Sequence, residues 1–307
     1  MPSWSARAAA GLLRALNARR VWADPAEAEN HLRTLATRPL RYAPPKRLLR
    51  SDVTVEAGRF AGWPVYTLRP KSAPPTGVLV YAHGGGWVHE IHALHWRFVA
   101  QVVTQAQVAA VVPIYPLAPF GTAGQVVPVV ADLAEQASAE YGPLVLAGDS
   151  AGGQIALSTA LRRRDAGRAP AALTVLIAPA VDARLDNPEI AEVARLDPWL
   201  AVEGTRVFAE AWRGDLSLSD PMVSPIEGDM TGLGPVVITC GTLDIVVPDV
   251  RLLVAKLRAA DVPVTYREAP DLVHAYPLLP ITEGRLAREV IAGQIHAALR
   301  RASAASP

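Results

Sequence analysis

The sequence predicts an α/β fold in which a mostly parallel central sheet is covered by helices. Short apolar runs typical of buried strands recur along the chain, and they alternate with stretches of helical periodicity. Parallel strands need crossover connections, so this alternation indicates a sheet with helices on both faces. Half of the 307 residues are hydrophobic, which is enough for a large core.

The overall composition excludes several classes of protein. The net charge is +1 with acids and bases interspersed, so nothing indicates a nucleic-acid surface. Cys240 is the single cysteine; it rules out an internal disulfide and fits a small buried strand residue. The N-terminus lacks the apolar stretch of a signal peptide, and no run approaches the length of a membrane span. We therefore expect a soluble cytoplasmic protein.

The N-terminal region predicts helices followed by a hairpin. Residues 4–20 have the pattern of an amphipathic helix, and Asp24-Pro25 looks like the start of a second. Such helices lie on a membrane or cover a cleft, and the short apolar face favours the cleft. A Pro- and Arg-rich linker spans 41–50, and strands at 52–55 and 64–68 are joined through 58–62.

The remaining elements follow in alternating order. Strands are expected at 77–82, 108–112, 144–147, 173–177, 235–239 and 262–266. Helices are expected at 95–105 and 126–140, between the segment 148–152 and residue 164, and at 249–260 and 283–301. Residues 181–225 are irregular apart from a helix around 203–212. An insertion of this kind lies over the carboxyl edge of the sheet and shapes a pocket.

The segment Gly148-Asp149-Ser150-Ala151-Gly152 joins an apolar strand directly to a helix. A turn this tight strains the backbone of its apex residue and brings neighbouring segments close, so a Cβ at either glycine would clash. This is the pattern of a nucleophile elbow, in which one serine hydroxyl stands at the apex.

A second glycine-rich segment, HGGGW at 83–87, follows the strand at 77–82. Three adjacent glycines let backbone N–H groups approach a ligand atom, which predicts an oxyanion hole. His89, His92 and His95 come next, spaced by three. Metal ligation is one interpretation, but the chain offers no cysteine or compact carboxylate cluster beside them. We favour a loop and helix start next to the pocket.

Serine needs a base to accept its proton, and the base needs a partner that fixes its tautomer. The chain order Ser150, Asp244, His274 supplies these groups, the latter two just past predicted strands. Asp249 is an alternative acid, although its position suits a helix cap better. His296 and His31 are weaker candidates for the base, because one lies inside a helix and the other precedes the core.

These motifs together resemble the hormone-sensitive-lipase-like branch of the α/β hydrolases. HGGGW at 83–87, YPLAP at 115–119, GDSAGG at 148–153, the Asp244 turn and His274 all occur in family order. The resemblance implies an α/β-hydrolase catalytic domain over 49–307, and a helical cap built from 1–48 and an insertion at about 181–225. The chain departs from the family at Phe120, at the turn after Asp244, at Ala275 and in the segment HEIHALHW.

By the same resemblance, Ser150 is the nucleophile, His274 the base and acid, and Asp244 the residue that orients it. The oxyanion would be held by N–H groups among Gly84, Gly85, Gly86 and Ala151. The expected pocket residues are Trp87, Trp199, Phe208 and Tyr276. For Trp199, Phe208 and Trp212 of the insertion, lining the pocket and packing the lid are equally good interpretations. No cofactor or metal is implied.

The predicted function is hydrolysis of short- to medium-chain carboxylic esters through an acyl-enzyme. A lactone or amide hydrolase with the same triad is the nearest alternative, and a ligand-binding protein that has lost catalysis is a more distant one. The expected partner is a small ester, with no nucleic acid and no stable membrane insertion. The sequence leaves open whether two copies of the chain form a homodimer.

Overall fold

The computed structural model describes residues 1–37, 41–45 and 50–305. The predicted linker at 41–50 lies partly outside these ranges. The predicted boundary between residues 48 and 49 lies wholly outside them, so the division into cap and catalytic domain stays a prediction.

The strands of the described chain form one eight-stranded sheet. They are β1 (Val53–Phe60), β2 (Trp63–Pro70), β3 (Val78–Ala82), β4 (Ala109–Pro113), β5 (Leu144–Asp149), β6 (Leu173–Ile177), β7 (Val236–Leu243) and β8 (Val264–Val273). Their order across the sheet is β1-β2-β4-β3-β5-β6-β7-β8. Only β1 with β2 and β2 with β4 pair antiparallel. The predicted mostly parallel sheet is confirmed.

Helices connect the strands and precede them. They are α1 (Trp4–Ala15), α2 (Arg20–Ala23), α3 (Pro25–Thr37), α4 (Ala93–Ala106), α5 (Ala123–Tyr141), α6 (Ala151–Asp165), α7 (Ile190–Val193), α8 (Val202–Arg213), α9 (Val247–Ala259) and α10 (Thr282–Ala305). None of the helices in the described ranges combines the length and hydropathy needed to cross a bilayer.

Two apolar cores lie on opposite faces of the sheet. Successive side chains of a strand point to opposite faces, and in β3 the pair Val78 and Val80 enters one core while Leu79 and Tyr81 enter the other. The first core is completed by α5, α6 and α9, and the second by α4 and α10. Because both faces are covered, the central strands are continuous apolar runs without alternation.

Some predicted boundaries were wrong at the edges of the fold. The N-terminal hairpin turns on Ala61 and Gly62 alone, both at positive φ, so β1 and β2 extend further than expected. Much of β1 is exposed because it is an edge strand. Its polar residues break the apolar pattern, so the predicted strand was too short. The helix expected at 4–20 ends at Ala15, and Asn17 at φ 49° separates it from α2.

The N-terminal helices pack against the insertion between β6 and β7. Gly204 of α8 lies so close to α2 that a Cβ there would come within 2.5 Å of the Val21 carbonyl oxygen. The Trp22 ring stands edge-on to Phe208, with ring centroids 5.2 Å apart. Segments far apart in sequence thus form one layer, and Trp22 and Leu200 of this layer line the cavity that also contains Ser150.

Candidate active site

Ser150 occupies the sharp turn between β5 and α6, with φ 53° and ψ −121°. Residues with a Cβ rarely adopt this conformation. Three backbone hydrogen bonds hold it: the Ser150 N–H donates to the Ile177 carbonyl at 2.8 Å, and the Ser150 carbonyl accepts the N–H groups of Gln154 and Ala180, each at 3.1 Å. Its hydroxyl has no hydrogen-bond partner among the described residues.

The glycines beside this turn are required by close backbone approach. A Cβ on Gly148 would lie 2.1 Å from the Gly152 carbonyl oxygen, and one on Gly152 would lie 2.0 Å from the Ala82 carbonyl oxygen. Both distances are far inside van der Waals contact, and the opposing atoms are backbone atoms that cannot rotate away. Glycine is therefore required at both positions because the start of α6 packs closely against β3 and β5.

His274 follows β8, and Asp244 follows β7, at the same edge of the sheet. The His274 Nδ1 lies 2.8 Å from the Asp244 Oδ2, and both side chains are buried. The other Asp244 oxygen accepts the Val246 N–H at 3.1 Å, and the Cys240 thiol donates to Oδ2 at 3.7 Å. These contacts hold the carboxylate in place against the imidazole.

The electrostatics of the pair favour a protonated imidazole. Burial by itself lowers the pKa of His274, but the charge of Asp244 and its hydrogen bond outweigh burial, and Asp197 and Asp149 add to them. The net result is a His274 pKa above the ordinary value of 6.5. A base that gains basicity beside a carboxylate is suited to take a proton from a hydroxyl.

The alternative acids and bases lie elsewhere. Asp249 is in the first turn of α9 and accepts a hydrogen bond from the Asn187 amide at 2.9 Å. His296 Nδ1 lies 3.1 Å from the Ala106 carbonyl oxygen within the α4–α10 layer. His31 belongs to α3, and its Nε2 lies 2.7 Å from that of His89. None of these three side chains hydrogen-bonds to His274 in the described residues.

Ser150 and His274 line a common cavity of about 80 Å³. Its other walls are mostly apolar, and they include Leu185 and Leu200 from the insertion, Ile245 after β7, and Leu278 after β8. Apolar walls around a few polar groups are typical of a small-molecule site.

The glycine loop contributes two free N–H groups to this cavity. The expectation that Gly84 also offers a free N–H to an oxyanion was wrong. The Gly84 N–H already donates to Asp149 Oδ1 at 3.0 Å, so it is used by the protein itself. Gly85, Gly86 and Ala151 line the cavity, and their N–H groups meet no acceptor in the described residues. The first two have φ 126° and 59°, conformations that glycine adopts readily.

Asp149 is a buried anchor for the glycine loop that the sequence alone did not reveal. Its carboxylate accepts the Gly84 N–H and the Tyr81 hydroxyl, and it lies 3.2 Å from the His95 Nε2. Burial raises its pKa, but His95 and these hydrogen bonds outweigh burial and bring the pKa to about 2. Asp149 is therefore charged at neutral pH and ties the loop to the elbow strand.

The three histidines after the loop have structural contacts. His95 belongs to the Asp149 cluster, and His92 caps α4 by accepting the Leu94 N–H at 3.3 Å. His89 Nδ1 lies 2.8 Å from the Gly85 carbonyl oxygen, and its other nitrogen faces His31. Within the described ranges, no three His, Cys, Asp or Glu side chains group in a way that could hold a metal ion.

Two of the four expected pocket aromatics line the cavity and two do not. Trp87 and Trp199 are cavity residues, and the Trp199 ring stands edge-on to His274 with centroids 5.8 Å apart. Phe208 faces Trp22 instead, because it lies on the side of α8 that packs on the N-terminal helices. Tyr276 is buried in a small cluster with Ala6 and does not reach the cavity.

Several residues that line the cavity were not predicted from the sequence. Trp22, Leu185 and Ile245 carry no motif, and each reaches the cavity from a different segment. The only signal for Ile245 was its place next to Asp244. Nothing local distinguishes Trp22 or Leu185 from an ordinary packing residue.

Comparisons with known proteins identify the family of this fold. A family model described as alpha/beta hydrolase fold matches residues 79–278. A triacylglycerol lipase from Mycobacterium tuberculosis is 33% identical over 230 residues, which cover 74% of this chain and 48% of the lipase. An acetyl-hydrolase from Streptomyces hygroscopicus is 34% identical over 153 residues, which cover 48% of this chain and 50% of that protein. The chain thus matches about half the length of these two relatives.

Among solved structures, an esterase from the bacterial hormone-sensitive lipase family shares the fold. It superposes with a TM-score of 0.79 at 23% sequence identity, covering 97% of this chain and 99% of that one.

Proposed function

The chain belongs to the α/β-hydrolase family, and we propose that it hydrolyses carboxylic esters through a serine acyl-enzyme. The observation that carries the proposal is the His274–Asp244 contact of 2.8 Å at the cavity that also holds the strained Ser150. The relatives named a triacylglycerol lipase and an acetyl-hydrolase support an ester as the substrate.

In the proposed first step, Ser150 Oγ attacks the ester carbonyl and His274 Nε2 accepts its proton. The Nδ1–H of His274 donates to Asp244, which fixes the tautomer and leaves Nε2 as the acceptor. The carboxylate also stabilises the imidazolium that forms. The protonated His274 then gives its proton to the departing alcohol, and an acyl-enzyme remains on Ser150.

The oxyanion of the tetrahedral intermediate would be held by N–H groups of the cavity wall. The N–H groups of Gly85, Gly86 and Ala151 are free and adjoin the cavity, and Ala151 is the first residue of α6, where the helix dipole is positive. Removal of one oxyanion donor typically costs about 10² to 10³ in kcat.

In the second half of the reaction, water takes the place of the alcohol. His274 removes a proton from this water as it attacks the acyl carbon, and returns the proton to Ser150 Oγ when the tetrahedral intermediate collapses to the carboxylic acid and free Ser150. The same oxyanion donors serve both halves, since both pass through a tetrahedral intermediate.

We further propose that α1–α3 and the insertion at about 181–225 act as a cap and restrict the substrate. Trp22 from α2 and Leu185 and Trp199 from the insertion line the cavity. The small cavity with these apolar walls favours short- to medium-chain acyl groups over long ones.

The test is hydrolysis of p-nitrophenyl esters from acetate to laurate by the wild type and by Ser150→Ala. We expect wild-type turnover that is greatest at or below six carbons and falls by at least about 10⁴ in the variant. Stoichiometric labelling of the wild type, and not of the variant, by a fluorophosphonate would identify the nucleophile. Wild-type protein that is folded but turns over no ester contradicts the proposal. If it turns over lactones or amides instead, the substrate class is a lactone or an amide.

A further inference from the structure

A second buried carboxylate lies behind the Asp244–His274 pair. Asp197 belongs to the insertion, between α7 and α8, and is 2% exposed. Its Oδ1 accepts the N–H groups of Trp199 at 2.8 Å and Leu200 at 2.9 Å. Its Oδ2 crosses to the other segment and accepts the Ile245 N–H at 3.0 Å. One side chain therefore ties the insertion to the loop that carries Asp244.

The backbone groups that Asp197 holds belong to residues of the cavity wall. Trp199, Leu200 and Ile245 all line the cavity, and Trp199 stands edge-on to the His274 ring. A local turn would need only the Oδ1 contacts to Trp199 and Leu200. The Oδ2 contact is not local, since Ile245 is the residue directly after Asp244.

The charge of Asp197 also acts on the pair. No lysine or arginine in the described part of the chain lies within ion-pair distance of it, so its negative charge is uncompensated except by the three N–H groups. Burial and the nearby Asp244 raise the pKa of Asp197 to about 6. The charge in turn raises the pKa of His274, together with the larger effect of Asp244 and a smaller one of Asp149. The buried thiol of Cys240 and the Val246 N–H also contact the Asp244 carboxylate.

We propose that Asp197 is a positioning residue that couples the insertion to the candidate catalytic pair. Its two oxygens fix the Trp199 wall and the Ile245 backbone relative to Asp244, and its charge supports protonation of His274. This inference rests on the function proposed above for that pair.

The variant Asp197→Asn separates this role from simple packing. An amide has one accepting end and one donating end, so its NH₂ must face either the Ile245 N–H or the Trp199 and Leu200 N–H groups. Asp249→Asn is the matched control. Asp249 is also a buried carboxylate, with a pKa raised to about 6 mainly by burial, and it accepts from Asn187 without acting on His274.

The first readout is the pKa of His274, measured by NMR titration of its imidazole in both variants. We expect a decrease of roughly 0.5 to 1 unit in Asp197→Asn and no change in Asp249→Asn. The second readout is the pH profile of kcat/KM with p-nitrophenyl butyrate, normalised to fluorophosphonate-reactive sites. Its acid limb should move to lower pH in Asp197→Asn, and the plateau should fall roughly ten- to hundredfold. Asp249→Asn should stay within about twofold of wild type.

Asp197→Ser replaces the asparagine variant if that does not fold, because serine keeps a short acceptor for Trp199 and Leu200 without the charge. An unchanged His274 pKa and unchanged kcat/KM in a folded Asp197 variant would overturn the proposal. Equal losses in Asp249→Asn, or failure of both Asp197 variants to fold, would overturn it as well and assign Asp197 to stability alone. If the wild type hydrolyses no ester, the proposed function fails, whereas the NMR comparison still tests Asp197.

Discussion

Gln154 should be the polar residue on which the packing between α6 and α8 depends. Its amide is fully buried in α6 and makes four hydrogen bonds. The Oε1 accepts the indole N–H of Trp87 at 2.9 Å and that of Trp212 at 3.0 Å. The Nε2 donates to Ser158 Oγ at 2.9 Å and to the Met222 carbonyl at 2.6 Å.

Gln154→Leu preserves the approximate size of the side chain and removes all four bonds. Each buried indole N–H left without an acceptor costs about 1–3 kcal/mol, and the Met222 carbonyl loses its donor as well. Ser158 still donates to the Pro221 carbonyl, so the loss of its hydrogen bond from Gln154 costs less free energy. We expect the free energy of unfolding to fall by about 3–5 kcal/mol.

The assay is equilibrium urea unfolding followed by tryptophan fluorescence, with Gln105→Leu as the control. Gln105 is an exposed glutamine on α4, so its replacement should change stability by less than about 0.5 kcal/mol. A loss below about 1 kcal/mol for Gln154→Leu would refute the reasoning, because the two indoles would then have found other acceptors.

Three further predictions concern the site. Because the pKa of His274 is raised above 6.5, wild-type kcat/KM should fall as the pH decreases through that raised value, and a pH–rate profile whose acid limb lies below pH 6 would contradict this. Asp149→Asn should lower the free energy of unfolding by about 2 kcal/mol at pH 7. Since the Asp149 pKa is lowered to about 2, this contribution is fully present above pH 4 and is lost as the pH falls toward 2, so urea unfolding at pH 7 and pH 2.5 should show a difference that shrinks. Gly148→Ala should yield little soluble protein by expression assay, because its Cβ would come within 2.1 Å of the Gly152 carbonyl oxygen; normal yield and activity would show that α6 can shift.

Local chemistry made much of the fold and the candidate site predictable from the sequence. A buried parallel strand must be apolar on both faces, so β3 to β7 stood out as uninterrupted runs. The turn at Ser150 needs glycines wherever backbones approach closely, and the two glycines of GDSAG stand at these positions. The order of Ser150, Asp244 and His274 along the chain was visible in the same way.

The sequence predicted poorly where a partner distant in sequence decides the outcome. Gly84 looks like its neighbours in HGGGW, yet its N–H is taken by Asp149, which lies 65 residues away. Phe208 and Trp199 are both aromatic residues of the insertion, and only the packing of α8 on α2 turns Phe208 away from the cavity.

The α/β architecture, the elbow with its serine, and the candidates for base and acid could thus be predicted from the chain alone, because each depends on residues adjacent in the chain. The tertiary structure alone decided which N–H groups are free, which aromatics reach the cavity, and that Asp197 lies behind the Asp244–His274 pair. Hydrogen-bond donors and buried charges act over a few ångströms, and only folding brings residues 149, 197 and 245 within that distance of their partners.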